Sequence, residues 1–208
     1  CGLRACESRA VVDWAENLYS NWFLADANAC WASAAQGEWA DCGYIEGPER
    51  QDEFYWHVLP TFVGSAKTTV VIVSDALRYE VARDVAALLE RERGGNVKVS
   101  SMQAVFPSIT EVGMPALLPH QALKLAEDGS FVLADGMPTA TTPQREAVLT
   151  HVESTSRALR SSAYLNMAGT ERKALLKDSK LVYLYHNKID ATGEKAATQD
   201  DVFDACAD

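Results

Sequence analysis

Apolar side chains recur at helical intervals through the first sixty or so residues, and the pattern then changes to short apolar runs separated by amphipathic stretches. Trp14, Leu18, Trp22 and Phe23 share helical spacing, with Tyr19 beside them. Trp31 and Trp39 continue the aromatic content until Gly43, Gly47 and Pro48 mark a loop. Aromatics at such spacing predict packing between helices rather than a platform for stacking bases. A short helix is expected over 51–59, stopped by Pro60.

From Lys67 onward the expected elements alternate. The β-rich run 68–74 predicts a buried parallel strand. Residues 79–92 predict a helix with Val81, Val85, Leu88 and Leu89 on one face, ended by Gly94-Gly95. A second strand is expected over 97–105, broken by Pro107, and a short helix over 110–118 despite Gly113 and Pro115. A strand over 131–134, a helix over 144–159 and a strand over 180–186 follow. Thr198-Gln-Asp-Asp201 has the capping-box form and predicts a helix running toward Cys206. This alternation indicates an α/β fold, a mainly parallel sheet sandwiched by helices, preceded by a helical N-terminal segment. The division falls at 1–62 and 63–208.

Composition narrows the function classes. The 208 residues, 48% hydrophobic and 23% charged, suit a globular protein, and no apolar run approaches the length of a bilayer span. Cys1, Cys6, Cys30, Cys42 and Cys206 form no Cys-x-x-Cys pair, so reduced thiols in the cytoplasm are expected rather than a disulfide framework or zinc finger. The net charge of -10 disfavours passive binding of nucleic-acid backbones, yet the carboxylate excess suits a metal site. The absence of a leading methionine or signal peptide, and an N-terminus within a helical pattern, predict a piece of a longer protein.

Three polar clusters fall at the carboxyl ends of expected strands, where α/β sheets gather ligands. In Ser74-Asp75-Ala-Leu-Arg78, Asp75 is placed either to bind a cation or to cap the next helix. In Pro107-Ser-Ile-Thr110-Glu111, Thr110, with Ser108 behind it, is either a nucleophile or a helix cap. In His186-Asn-Lys-Ile-Asp190-Ala-Thr-Gly-Glu194, the His, Asp and Glu side chains either surround a cation or sit in a solvated loop. Arg78, Arg145 and Lys188 are candidate phosphate contacts, with surface charge as the alternative.

Three stretches carry a resemblance: Val-Ile-Val-Ser-Asp-Ala-Leu-Arg-Tyr-Glu-Val-Ala at 71–82, Pro-Ser-Ile-Thr-Glu-Val-Gly-Met-Pro-Ala-Leu-Leu-Pro-His at 107–120, and Val-Tyr-Leu-Tyr-His-Asn-Lys-Ile-Asp-Ala-Thr-Gly at 182–193. In order and wording they resemble the motifs of PglZ proteins of BREX phage-defence systems, within the alkaline-phosphatase superfamily. The similarity extends through Asp135-Gly136, Arg145 and Val202-Phe203.

That resemblance implies an alkaline-phosphatase-like core, incomplete in this chain, and two divalent metal ions, often zinc. It makes Asp75 a metal ligand, Thr110 the metal-bridging nucleophile and Asp190 a metal-binding carboxylate. Glu194 stands where the superfamily's Asp-x-x-x-His pattern has its histidine, which leaves His186 as ligand or as support for one. The implied activity is metal-dependent phosphoester hydrolysis, with other BREX proteins as partners and DNA or another phosphorylated molecule as substrate. The superfamily's later Asp-His pair does not occur in the sequence, so the chain alone is expected to be poorly active or inactive. The alternative is a non-catalytic structural subunit of a defence complex. A sulfatase or phosphomutase of the same superfamily is a weaker reading: the resemblance points elsewhere for both, and sulfatases mature a Cys or Ser, neither of which stands at position 110.

Overall fold

The structure is a computed structural model that describes residues 2–63, 68–94, 96–195, 202 and 204–206. Side chains at 2–8, 38–40, 42, 62, 63 and 93 lie outside this description. The chain divides into two compact units, Cys1–Gly47 and Pro48–Asp208.

The first unit is a single helical run. Helices α1 (Gly2–Leu18) and α2 (Ala25–Cys42) are joined through a π-helical stretch, Tyr19–Leu24, whose flanking residues keep right-handed helical dihedrals. The expected burial of the aromatics does not occur. Trp14, Trp22 and Trp31 are 65%, 64% and 60% exposed, and Phe23 is exposed as well. The reason is geometric: one helical run supplies no second layer of its own unit against which to bury a stripe. Tyr19 and Phe23 instead stack on each other at 5.8 Å. The side chain of Trp39 lies outside the described residues.

The second unit is mixed α/β. Its main sheet holds β1 (Thr69–Ser74), β5 (Arg157–Arg160) and β6 (Leu181–His186) in the order β1-β6-β5, all parallel. A smaller antiparallel sheet joins β2 (Leu123–Leu125), β3 (Val132–Ala134) and β4 (Met137–Pro138). Asp135 and Gly136 turn β3 into β4 with positive φ at both positions, which the Asp-Gly pair tolerates well. Among the described residues this unit holds the helices α3 (Pro60–Val63), α4 (Tyr79–Arg93), α5 (Thr110–Ala116), α6 (Thr142–Val152), α7 (Ser161–Asn166), α8 (Gly169–Asp178) and α9 (Lys188–Gly193), and residues 202 and 204–206 are helical as well.

The core is organised by β6. Leu181, Tyr183 and Tyr185 point to one face and pack with Leu118, Val148, Leu149 and Ala158. Val182 and Leu184 point the other way and are also buried, while α7 packs against the same strand. A strand apolar on both faces is the signature of the middle of a parallel sheet. The Tyr183 hydroxyl donates to the Leu117 carbonyl at 2.9 Å, which satisfies the buried phenol.

Several expectations are corrected. β1 is an edge strand among the described residues, Val70 and Ile72 are exposed because nothing described covers their face, and Val71 and Val73 on the other face are half-buried. The apolar face of α4 is likewise open at Val85, Leu88 and Leu89, although the helix ends as expected at Gly94 in the left-handed conformation. Residues 97–105 form no strand among the described residues, only an isolated bridge from Gln103 to Arg50. The helix expected over 144–159 stops at Val152, and its last part is β5. Residues 51–59 form a 3-10 turn and a π-helical turn, and Pro60 opens α3 instead of ending a helix. The strand expected at 131–134 joins the antiparallel sheet. The capping box at 198–201 lies outside the described residues.

Replacing Leu149, fully buried against Tyr183, by Ala should cost about 3 kcal/mol in urea denaturation, through lost transfer energy and a residual cavity. Ile72→Thr, on the open face of β1, should stay within about 0.5 kcal/mol of the parent.

Candidate active site

Parallel pairing brings the ends of β1 and β6 to one level. Ser74 and His186 are register partners, and their side chains bond across the strands, Oγ to Nδ1 at 2.8 Å. The Asp75 amide continues the ladder by donating to the His186 carbonyl at 2.8 Å. Ala76 then takes φ 59°, a left-handed conformation costly for a residue with a Cβ, and turns the chain away from the sheet.

These strand ends open into a cavity of about 380 Å³. Asp75, Thr110, His186, Asn187 and Asp190 line it together with Thr141, Thr142, Arg145, Arg160 and Tyr185. Thr110, the first residue of α5, donates its hydroxyl to the Asp75 carboxylate at 3.3 Å from Oδ2 and 3.5 Å from Oδ1. Desolvation raises the Asp75 pKa above the ordinary carboxylate value, and the nearby charge of Asp190 raises it further. The Thr110 hydrogen bond and Arg145 work in the opposite direction without overcoming the rise.

Arg145 is fixed from three sides. Its Nε donates to the Thr139 carbonyl at 2.8 Å, its Nη1 to the Met114 sulfur at 3.0 Å and its Nη2 to the Ala140 carbonyl at 3.4 Å. Its guanidinium lies over the Tyr185 ring, 4.8 Å from the centroid. Burial pushes the Tyr185 phenol up to about 12, so it is a neutral donor at physiological pH. At the start of α6, Thr141 forms a reciprocal capping box with Gln144 and presents that helix end to the cavity.

Of the residues singled out from sequence, Asp75, Thr110, Asp190, His186 and Arg145 line this one cavity. Arg78, Lys188 and Glu194 are not among its lining residues. Among the described residues, no three His, Cys, Asp or Glu side chains are grouped so as to hold a metal ion. The oxygens that do meet here, from Asp75, Asp190 and Thr110, are hard donors fit to share one divalent cation with other ligands. Sequence reasoning missed Arg160 and Tyr185. Arg160 fell next to a stretch read as helix, and Tyr185 looked like another core position of an apolar strand. The alternation Arg157-Ala-Leu-Arg160, with its buried Ala158, was the signal available for β5.

A parallel α/β sheet with a hydroxyl–carboxylate pair at its carboxyl end fits an alkaline-phosphatase-like domain. The chain belongs to the PglZ family: the profile of the BREX system PglZ alkaline phosphatase-like domain matches residues 54–208. It is 37% identical over 202 residues to the alkaline phosphatase-like protein BrxZ of Escherichia coli O9:H4 (strain HS), covering 95% of this chain and 23% of that protein. It is 34% identical over 197 residues to the alkaline phosphatase-like protein PglZ of Bacillus cereus (strain H3081.97), covering 95% of this chain and 23% of that protein. The chain thus spans about a quarter of the length of these curated relatives. No solved structure matches it. No helix among the described residues is long and apolar enough to cross a membrane.

The Asp75 environment has a pH signature. Its proton affinity is higher in the folded chain than in the unfolded one, so its relative contribution to stability is full below the ordinary carboxylate range. That contribution is lost as pH rises through the elevated folded value. In metal-free buffer at pH 7, Asp75→Asn should raise the melting midpoint by roughly 2 °C, and the gain should vanish toward about pH 3–4. A lower midpoint for the variant at pH 7 would show that the carboxylate is not paying a desolvation cost.

Proposed function

We propose that this domain hydrolyses phosphoric esters, with Thr110 as the nucleophile and Asp75 and Asp190 as carboxylates that hold a divalent cation beside it. The observation that carries the reading is the Thr110 hydroxyl, 3.3 Å from an Asp75 oxygen, in a cavity shared with Asp190. Two like-charged carboxylates in a partly desolvated cleft repel each other, and a cation removes that cost. The resemblance to zinc phosphatases makes zinc the first ion to test, and zinc accepts carboxylate oxygen. When bound, the cation supplies charge neutralisation at the phosphoryl oxygens and acidifies a coordinated hydroxyl.

The chain's own groups account for the remaining chemistry. Thr110 directs its proton toward Asp75, which turns the oxygen's lone pairs toward the cavity. Attack at phosphorus forms the Thr110 oxygen–phosphorus bond and breaks the bond to the leaving oxygen, which takes up, by way of Asp75 and solvent, the proton that Thr110 gives up and departs as an alcohol. Water then releases phosphate and restores the hydroxyl. Arg145, rigidly held at the cavity wall, contributes a fixed positive charge toward the phosphoryl group. The Ser74–His186 bond holds the two strand ends in register and leaves the imidazole Nε2 for a ligand or solvent.

The family description supports a place among BREX proteins, and the substrate class of DNA phosphodiester or other phosphorylated molecule follows from this reading. A second reading, a docking subunit, is favoured by one observation, the exposed Trp14, Trp22 and Trp31 on the N-terminal helical run.

The test is turnover of bis-p-nitrophenyl phosphate with added zinc, using this chain joined to the remaining length typical of its relatives. Thr110→Ala should lower zinc-dependent turnover by about a thousandfold or more. A folded, zinc-loaded protein that hydrolyses neither this ester nor DNA would remove the enzyme reading and leave the docking subunit.

A further inference from the structure

Two polar groups at the site have no use in the chemistry above, and they are neighbours. Arg160 closes β5 and lines the cavity, yet its guanidinium makes no hydrogen bond or ion pair among the described residues. In a chain with 29 acidic and 19 basic side chains, a cavity-facing guanidinium left without a carboxylate is unusual. Tyr185, its register partner on β6, is only 6% exposed, and its buried hydroxyl has no hydrogen-bond partner. Arg145 lies over the face of that ring and lowers the phenol pKa without overcoming burial, yet it makes no hydrogen bond of normal geometry to the hydroxyl. Buried hydroxyls are nearly always bonded, so an orphan that lines a cavity marks a place where a ligand atom belongs.

The two groups lie on one face of the sheet. Ala158, two residues before Arg160 and thus on its side of the strand, packs in the same core cluster as Tyr185. Tyr185 is also the register partner of Val73 on β1, two residues before Asp75. Arg160 therefore stands two strand spacings, roughly 10 Å, to the side of β1. That offset puts the backbone of Arg160 on the far side of β6 from Asp75, which suits a phosphoryl group beside the one attacked by Thr110. A planar guanidinium and a neutral phenol are both donors, and their joint preference is a phosphate oxygen rather than a cation or an apolar group.

We propose that Arg160 and Tyr185 form a subsite for a second phosphoryl group, so that the preferred substrate carries a phosphate next to the scissile one. The inference rests on the phosphoester reading above and deepens it to a substrate class, bisphosphorylated nucleotides or the phosphate chain of a nucleic acid.

The experiment is calorimetric titration of the 208-residue chain with zinc present, using adenosine 5′-monophosphate, adenosine 3′,5′-bisphosphate and a 5′-phosphorylated DNA trinucleotide. The parent should bind the bisphosphate about tenfold more tightly than the monophosphate. Arg160→Ala should abolish that advantage and Tyr185→Phe should reduce it severalfold, with monophosphate affinity unchanged. Tyr185→Phe removes one orphan oxygen, so its melting midpoint should hold or rise while selectivity falls, a pairing that a structural role would not produce. Matching losses with bisphosphate and trinucleotide identify a nucleic-acid strand as the source, and losses with the bisphosphate alone identify a free nucleotide. An unchanged ratio in both variants, a destabilised Tyr185→Phe, or no binding of any probe to the folded parent would overturn the subsite. Thr110→Ala separates the two claims: weaker monophosphate binding with the ratio intact is expected. Unchanged zinc-dependent turnover in Thr110→Ala beside clear Arg160 and Tyr185 effects on binding would remove the assigned nucleophile and leave the subsite standing.

Discussion

Everything at the site depends on one strand being buried on both faces. β6 places Leu181, Tyr183 and Tyr185 against the core and Val182 and Leu184 on the opposite side, and a strand of this kind must have parallel neighbours and covering helices. Its pairing with β1 fixes Ser74 opposite His186, and its pairing with β5 fixes Arg160 opposite Tyr185. A slip of one residue in either register would turn these side chains to the other face and disperse the cavity. The apolar run and the polar cluster that follows it are therefore one device: the first sets the register and the second uses it.

The parts of the fold legible in the sequence are those whose local pattern and tertiary role agree. β1 and β6 are apolar runs of strand length, α4 has both a periodic face and a glycine stop, and the Asp75, Thr110 and Asp190 positions sit in motifs specific enough to recognise. The parts that were not legible are those where tertiary context decides. β5 is four residues long and follows a helix after one short turn, so residues 144–159 offered helical spacing throughout. The turn is held by Glu153, which accepts from Thr155 two residues on and from Lys180, a long-range partner that no local window contains. Residues 97–105 have strand composition but no sheet partner among the described residues beyond one bridge, because β propensity is realised only by pairing. The tryptophans of the N-terminal run follow the same rule: periodicity predicts which face is apolar, not whether a partner covers it.

The carboxylates of this unit sit in two kinds of environment. Asp135 shows how a carboxylate is used structurally: it accepts backbone amides from Gln121 and Ala122, and those bonds lower its pKa. Asp128 and Glu153 do the same with local hydroxyls and amides. Asp75 is treated in the opposite way, desolvated beside Asp190 so that its charged form is penalised. A domain that serves only as a docking surface gains nothing from that arrangement, since a cap or turn carboxylate is stabilised and not strained. A raised carboxylate, a left-handed alanine directly after it and an unpartnered phenol in the same cavity are each a local cost. Their coincidence at the carboxyl end of a parallel sheet fits a site shaped by what binds there, a cation beside Asp75 and a phosphate oxygen at the Tyr185 hydroxyl.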